Sequence, residues 1–83
     1  MLGMPVLMIG HAAIARESDC YSIVEKDRKN YCIALLRDRD ETCYMIKNSD
    51  LRNYCIARVR QKPDACYGIG DRDTKAMCLA LTR

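Results

Sequence analysis

The stretch Asp19–Arg39, DCYSIVEKDRKNYCIALLRDR, carries two cysteines twelve residues apart, each next to a tyrosine. A closely similar arrangement returns twice further along the chain. The spacing between successive cysteines alternates between 12 and 11 residues, which makes a period of 23 residues. The cysteines of the three copies are Cys20 and Cys32, Cys43 and Cys55, and Cys66 and Cys78.

Alignment of the three copies shows that the repeat extends beyond the cysteines. Seven of the 23 positions are identical in all three copies. Repeats of roughly 20 to 50 residues indicate supersecondary units that stack on one another. We place the copies at 17–39, 40–62 and 63–83, within one domain that covers 16–83. The identical positions hold Cys20, Cys43 and Cys66; Tyr21, Tyr44 and Tyr67; Ile23, Ile46 and Ile69; Asp27, Asp50 and Asp73; Cys32, Cys55 and Cys78; Ala34, Ala57 and Ala80; and Arg37, Arg60 and Arg83.

Each copy is predicted to contain two short helices. In the first copy, Cys20, Ile23 and Val24 follow the i, i+3, i+4 spacing of one helix face. The second helix carries an apolar face between Tyr31 and Leu36. The alternation of period two that a strand requires is absent. The sequence therefore predicts an all-α fold, in which three tandem hairpins of 23 residues stack as a small α-solenoid.

The ends of these helices are also predicted. Asp27, Asp50 and Asp73 are expected to act as N-caps, because a carboxylate can accept hydrogen bonds from the free N–H groups of a first helical turn. Arg37 and Arg60 are expected to close the second helices of their copies, where a cation suits the helix dipole. Pro63 is expected to begin the first helix of the third copy, since proline is tolerated in a first turn.

Size and charge limit the class of protein. The chain has 83 residues, and a domain this small buries only roughly 60% of its unfolded surface. Such domains often depend on a staple such as a disulfide or a metal. The net charge is +3, and the 14 basic and 11 acidic residues alternate locally, as in EKDRK and RDRDE. This pattern is typical of a solvated surface, so we expect no nucleic-acid partner.

The first 15 residues, MLGMPVLMIGHAAIA, differ from the rest. They hold no Lys, Arg, Asp or Glu, and they end in Ala13-Ile14-Ala15, the small-x-small pattern that signal peptidase cleaves. We interpret Met1–Ala15 as an export signal, although no basic residue precedes its apolar run. A buried helix or a short retained anchor are alternatives, but a membrane span needs about 20 residues. The only histidine, His11, lies in this segment and is not expected to be a ligand.

The six cysteines are interpreted as three structural disulfides. An exported chain meets an oxidising compartment, and an even number of cysteines suits complete pairing. Two alternatives are a metal site and a redox-active dithiol. Zinc sites usually use close pairs such as Cys-x2-Cys, and redox dithiols prefer Cys-x-x-Cys at a helix start. The chain contains neither spacing, so we expect no metal and no cofactor.

The repeat narrows the choice among the 15 pairings that six cysteines allow. A hairpin that turns around residues 25–27 places the two cysteines of one copy opposite each other. The predicted pairs are therefore Cys20–Cys32, Cys43–Cys55 and Cys66–Cys78. A rival register pairs Cys32–Cys43 and Cys55–Cys66, and it leaves Cys20 and Cys78 to meet across the whole stack.

The repeated side chains beside the cysteines have two interpretations. The tyrosines and isoleucines could form the seam between hairpins, and the repeated alanines would then allow close helix approach. Alternatively, the tyrosines form an interaction stripe along one face, since tyrosine is enriched in interface hot spots. The tyrosines of this candidate stripe are Tyr21, Tyr44 and Tyr67.

The pattern Cys-Tyr-x-Ile…Asp…Cys-x-Ala, from Ser18 to the end of the chain, resembles that of exported bacterial and archaeal proteins with short, cysteine-stapled helical repeats. It is similar in principle to Sel1-like repeats and to the twin-cysteine hairpins of the mitochondrial intermembrane space. The unit is shorter than a Sel1-like repeat, and its Cys-x11-Cys and Cys-x10-Cys spacings differ from Cys-x9-Cys. The resemblance implies a fold and a periplasmic or secreted location, and it implies no catalytic residues.

The sequence therefore predicts a small exported, non-enzymatic module that binds a protein partner. It contains neither a glycine-rich phosphate loop nor a credible Ser/His/Asp set, so no catalytic residue is assigned. Two other functions stay open: a membrane-active or toxin-like secreted peptide, and a thiol-based metal or redox protein. No stable membrane span is expected.

Overall fold

The fold is all-helical within residues 17–82, which are the residues that the computed structural model describes. No strand occurs in this range. The predicted signal segment Met1–Ala15 and the last repeated arginine lie outside it. Four α-helices and two 3-10 helices follow one another in the order α1 Glu17–Cys20, α2 Lys26–Arg37, η1 Thr42–Met45, α3 Ser49–Arg60, η2 Pro63–Gly68 and α4 Arg72–Leu81.

Three disulfides join each short helix to the long helix that follows it. They connect Cys20–Cys32, Cys43–Cys55 and Cys66–Cys78, the pairs predicted from the hairpin register. The Cα atoms of each pair are 5.6 to 5.7 Å apart, within the usual range for a disulfide. We refer below to residues 17–37 as pair 1, to 42–60 as pair 2 and to 63–81 as pair 3.

Two of the three short helices are 3-10 helices rather than α-helices, and the first short helix ends earlier than predicted. Helix α1 ends at Cys20, so Ile23 and Val24 do not continue its face. In each copy the N–H of the repeated isoleucine instead donates to the carbonyl three residues earlier, as Ile23 does to Cys20 at 3.1 Å. This turn buries the isoleucines of pairs 2 and 3, whereas Val24 stays 95% exposed. The predicted Cys20–Ile23–Val24 helix stripe was therefore wrong.

The long helices begin two residues before the position predicted. Their N-caps are Glu25, Asn48 and Asp71, whose side chains accept from N–H groups of the first turn. Each cap residue has an extended backbone, which is the usual N-cap conformation. The predicted caps Asp27, Asp50 and Asp73 lie instead inside the first turn. That prediction was wrong, because another oxygen-bearing side chain already occupies the capping position.

Helices α2 and α3 both end on a residue with left-handed backbone. Asp38 has φ 57° and Gln61 has φ 55°. The N–H groups of these two residues donate to Ala34 and Ala57, which satisfies carbonyls that the helix leaves free. Arg37 and Arg60 stand in the last turns, as predicted from the dipole. The reversal lets the next short helix return along the one just completed.

The core forms two clusters, one at each contact between consecutive pairs. The buried members of the first are Ala34 from pair 1 and Cys43, Ile46, Cys55 and Ile56 from pair 2. The second holds Tyr54 and Ala57 from pair 2 with Cys66, Ile69 and Cys78 from pair 3. The disulfides therefore pack as apolar core groups as well as cross-links. The isoleucine and alanine positions of the predicted seam are thus buried in both contacts.

Candidate interaction surface

The three tyrosines of the candidate stripe are exposed rather than buried in the seam. Tyr21, Tyr44 and Tyr67 expose 55%, 56% and 63% of their surface. Each follows a half-cystine that is completely buried. Because the disulfide holds that half-cystine in the core, the next side chain is directed outward at the same place in every copy.

The hydroxyl of Tyr21 belongs to a small polar network. It donates to Glu17 Oε2 at 3.1 Å, and the Arg37 guanidinium donates to both oxygens of the same carboxylate at 3.0 and 2.6 Å. The hydrogen bond from Arg37 lowers the pKa of Glu17 and raises the pKa of Arg37. Arg37 thus ties the end of α2 back to α1 and positions the tyrosine hydroxyl.

The second copy, residues 40–62, contains a variant of this network. Arg60 donates to Asp40 Oδ2 at 2.7 Å and to the hydroxyl of Tyr44 at 3.1 Å. The hydrogen bond to Asp40 is the main cause of the raised pKa of Arg60. The repeated arginine therefore pairs with an acidic residue of its own copy in both pairs, and the repeated tyrosine lies at its side.

Pair 3 departs from the pattern at Tyr67. The position that holds Glu17 and Asp40 in the other copies is occupied by Pro63, which begins η2. Proline offers no carboxylate, and no hydrogen bond of the Tyr67 hydroxyl occurs among the described residues. Tyr67 is also the most exposed of the three repeated tyrosines.

The other two tyrosines are structural, and the sequence did not reveal their contact. The rings of Tyr31 and Tyr54 stack across the contact between pairs 1 and 2, with centroids 5.7 Å apart. Arg58 lies over the Tyr54 ring and donates to its hydroxyl at 3.3 Å. Burial raises the pKa of Tyr31 to about 12. The only sign of this contact in the sequence is the 23-residue interval between the two tyrosines, which places them at equivalent positions of adjacent pairs.

The repeated aspartates join consecutive pairs. The Asp27 carboxylate accepts from the backbone N–H groups of Lys47 and Asn48 at 2.9 and 3.0 Å, and these bonds lower its pKa. The Asp50 carboxylate accepts in the same way from Gly70 and Asp71, at 2.9 and 3.1 Å. Each carboxylate thus holds the segment that leads into the long helix of the next pair.

An open groove of about 450 Å³ runs along these carboxylates. Glu25, Asp27, Asn48 and Asp50 contribute to its lining. All four side chains accept hydrogen bonds from backbone N–H groups, as caps or as contacts between pairs. The arrangement therefore stabilises the fold, and its carboxylates are already committed to the backbone.

The structure also bears on the thiol-based alternative. All six cysteines lie in disulfides, so the oxidised chain offers no thiolate to a metal or a redox partner. Across the described residues 17–82, no group of three or more His, Cys, Asp and Glu side chains could hold a metal ion. Nor does any helix in this range have the length and apolar character needed to cross a membrane.

Comparison with known proteins adds no further assignment. No protein-family profile, curated protein or solved structure matches this chain.

Proposed function

We propose that this chain is an exported, non-enzymatic interaction module that binds a protein partner through Tyr21, Tyr44 and Tyr67. In this proposal the three disulfide-linked pairs are tandem hairpins of a small α-solenoid. The observation that carries the proposal is the outward placement of the repeated tyrosine in every copy. Solenoids commonly bind partners through a surface that neighbouring repeats extend.

The disulfides support a location outside the reducing cytosol. Each of the six cysteines is bonded within its own copy, and such structural disulfides persist in oxidising compartments. Residues 1–15 would supply the export signal, and the mature module would be periplasmic or secreted. A domain built of short helix pairs offers little depth for a catalytic pocket, which favours binding over catalysis.

The surroundings of the tyrosines suit recognition. Tyrosine combines a large apolar ring with a polar end and loses little conformational entropy on binding. The polar networks at Tyr21 and Tyr44 hold the hydroxyls in place before any partner arrives. A preordered surface lowers the entropic cost of association. The adjacent Met45, 64% exposed, adds apolar area beside Tyr44.

The test compares two matched variants of the oxidised, exported protein. The first carries Tyr21→Ser, Tyr44→Ser and Tyr67→Ser, and the control carries Lys26→Ser and Arg72→Ser, two exposed side chains on the long helices, which do not hold these tyrosines. A protein captured by the wild type from the host's extracytoplasmic fraction is purified and titrated against all three forms. We expect saturable binding that the control keeps and the tyrosine variant loses by at least about tenfold.

Two results would contradict the proposal. One is equal affinity of the tyrosine variant and the wild type for the purified partner. The other is leakage of liposomes at low protein concentration with no saturable protein binding, which would favour the membrane-active alternative. Circular dichroism and a count of free thiols on each variant show that the comparison is between folded, oxidised proteins.

A further inference from the structure

The two contacts between pairs use the same set of groups. At each contact the repeated alanine of one pair lies in a buried cluster with the disulfide and the repeated isoleucine of the next. The repeated aspartate of the first pair also accepts from two consecutive backbone N–H groups of the second. The chain therefore contains one mode of contact, used twice, with a distinct donor face and acceptor face.

Pair 3 presents the acceptor face without a partner among the described residues. Ala80 is exposed, although Ala34 and Ala57 at the same position are buried at 0% and 1% exposure. Met77, at the position of the stacked tyrosines, is 50% exposed. No described residue donates a hydrogen bond to Asp73. This face consists of Asp73, Met77 and Ala80, and we call it the tail face.

Pair 1 presents the complementary face. Ile23 is only partly buried, whereas Ile46 and Ile69 at the same position are 1% and 3% exposed. Cys32 is likewise partly exposed, although the equivalent Cys55 is completely buried. Val24 is 95% exposed, and Val24 and Glu25 occupy the positions of the two N–H donors in the other pairs. We call Ile23, Val24, Glu25, Tyr31 and Cys32 the head face.

We propose that the tail face of one molecule binds the head face of a second copy in the geometry that already joins consecutive pairs. Asp73 would then accept from the N–H groups of Val24 and Glu25, and Ala80 would cover the Cys20–Cys32 disulfide. Met77 would meet the Tyr31 ring, a favourable contact between a thioether and an aromatic ring. The occupant is a second copy because the tail face matches, position by position, a surface that this chain binds twice within itself.

The contact is heterologous, since it joins two different faces. Such contacts produce open chains, or rings where the rotation between copies closes, rather than two-fold dimers. In either case the average mass in solution rises with concentration. The faces do not include Tyr21, Tyr44 or Tyr67, so this proposal does not depend on the proposed partner-binding surface. Assembly would instead place tyrosines of successive molecules in one longer row.

The experiment is analytical ultracentrifugation of the oxidised, exported protein over a concentration series. We expect a mass that rises with concentration for the wild type. Ala80→Arg places a charge at the tail face and Ile23→Arg places one at the head face, so each alone should stay monomeric. Asp73→Asn, a milder change, should weaken the association constant by roughly tenfold. Asp64→Asn and Met45→Arg are matched controls at exposed positions outside both faces and should assemble like the wild type.

Mixing the two blocked variants is the decisive test. The Ala80→Arg protein keeps an intact head face and the Ile23→Arg protein keeps an intact tail face, so a mixture should form a 1:1 dimer that cannot extend. A wild type that stays monomeric at all concentrations overturns the proposal. So does assembly that survives both arginine substitutions, or assembly that is lost in Met45→Arg, which would place the contact at the tyrosines.

Discussion

The carboxylate of Asp50 accepts a hydrogen bond from the backbone N–H of Gly70, with 2.9 Å between Oδ1 and the nitrogen. Its second oxygen accepts from the next N–H, that of Asp71, at 3.1 Å. These N–H groups lie directly before α4, so one side chain of pair 2 holds the start of pair 3. Asp27 makes the equivalent bonds one repeat earlier. The repeated aspartate is therefore the polar half of the contact between pairs.

This relationship predicts that the change from aspartate to asparagine lowers the free energy of unfolding by different amounts at Asp50 and at Asp73. Asp50→Asn should lower the free energy of unfolding by about 1 kcal/mol more than Asp73→Asn, because an amide offers one acceptor oxygen to two N–H groups. Both residues are the second residue of their helix, so the effect on the helix dipole is the same. Urea unfolding of dilute protein with intact disulfides measures the difference. Equal losses would show that the Asp50 contact contributes nothing beyond the helix end.

Acid should destabilise the fold through carboxylates with lowered pKa. Hydrogen bonds hold the pKa of Asp27 below its ordinary 3.8 and that of Glu17 below 4.5. Each carboxylate therefore contributes stability that is present above its unfolded pKa and is lost as the pH falls through the lower folded value. We expect the free energy of unfolding to be nearly constant from about pH 7 to about pH 5 and to fall below about pH 4.5.

The Asp27→Asn variant tests the source of this loss. Its free energy of unfolding should vary less steeply with pH in the acid range, because one proton fewer is taken up on unfolding. Ser22→Ala, at an exposed position without a titratable side chain, is the control and should keep the wild-type slope. An identical slope in all three proteins would show that Asp27 does not couple protonation to folding.

Alkali should destabilise the fold through Tyr31. Burial raises its pKa from 10.0 to about 12, so the neutral phenol contributes stability that is complete below pH 10 and is lost as the pH rises towards 12. A titration of tyrosinate absorbance should show one late ionising step in the folded protein. Tyr31→Phe keeps the ring stack and should abolish that step. A late step that persists in Tyr31→Phe would assign it to another tyrosine.

The loss of stability on removal of a disulfide should depend on how deeply that disulfide is buried in the core. Each closes a loop of about 13 residues, which contributes roughly 3 kcal/mol by the chain-entropy model. Replacing Cys43 and Cys55 by alanine should cost more than replacing Cys20 and Cys32, because Cys55 is completely buried between pairs and Cys32 is partly exposed. Urea unfolding of the two double variants measures the ranking. Equal losses of unfolding free energy in the two variants would mean that the disulfides stabilise the fold by loop closure alone.

The cross-links also predict the thiol content of the native protein. Alkylation without a reductant should add no mass, and alkylation after reduction in denaturant should label six thiols. Reduction alone should abolish most of the helical circular dichroism, since domains of this size depend on their staples. Labelling of the native protein without a reductant would contradict the disulfide assignment.

The helical class and the disulfide partners followed from local information. A 12-residue separation within each copy leaves room for one turn between two short helices, and this puts the cysteines opposite each other. The residues at which the long helices begin did not follow from this local information. Glu25, Asn48 and Asp71 all have side chains that can cap, but they differ in residue type, whereas Asp27 and its equivalents are identical. Residue identity between copies therefore points to the wrong capping position.

The roles of the tyrosines likewise could not be predicted from residue spacing. Tyr21 recurs as Tyr44 and Tyr67, and Tyr31 recurs as Tyr54, in each case after 23 residues. Yet Tyr21 is exposed at the surface, whereas Tyr31 stacks on Tyr54 between pairs. Both residues adjoin a cysteine, so neither composition nor spacing separates them. The difference arises from the helix that carries each residue. Tyr21 follows Cys20 at the end of a short helix and points away from the core. Tyr31 precedes Cys32 in a long helix and points towards the next pair.

The sequence by itself determined the period, the helical class and the pairing of the cysteines, because these depend on residue spacing along a short stretch of chain. Only the tertiary structure decided that the repeated aspartate joins neighbouring pairs, which alanines are buried and which tyrosines face outward. Those outcomes depend on where the next pair lies, since the same side chain meets either solvent or a neighbour according to its place in the order of pairs.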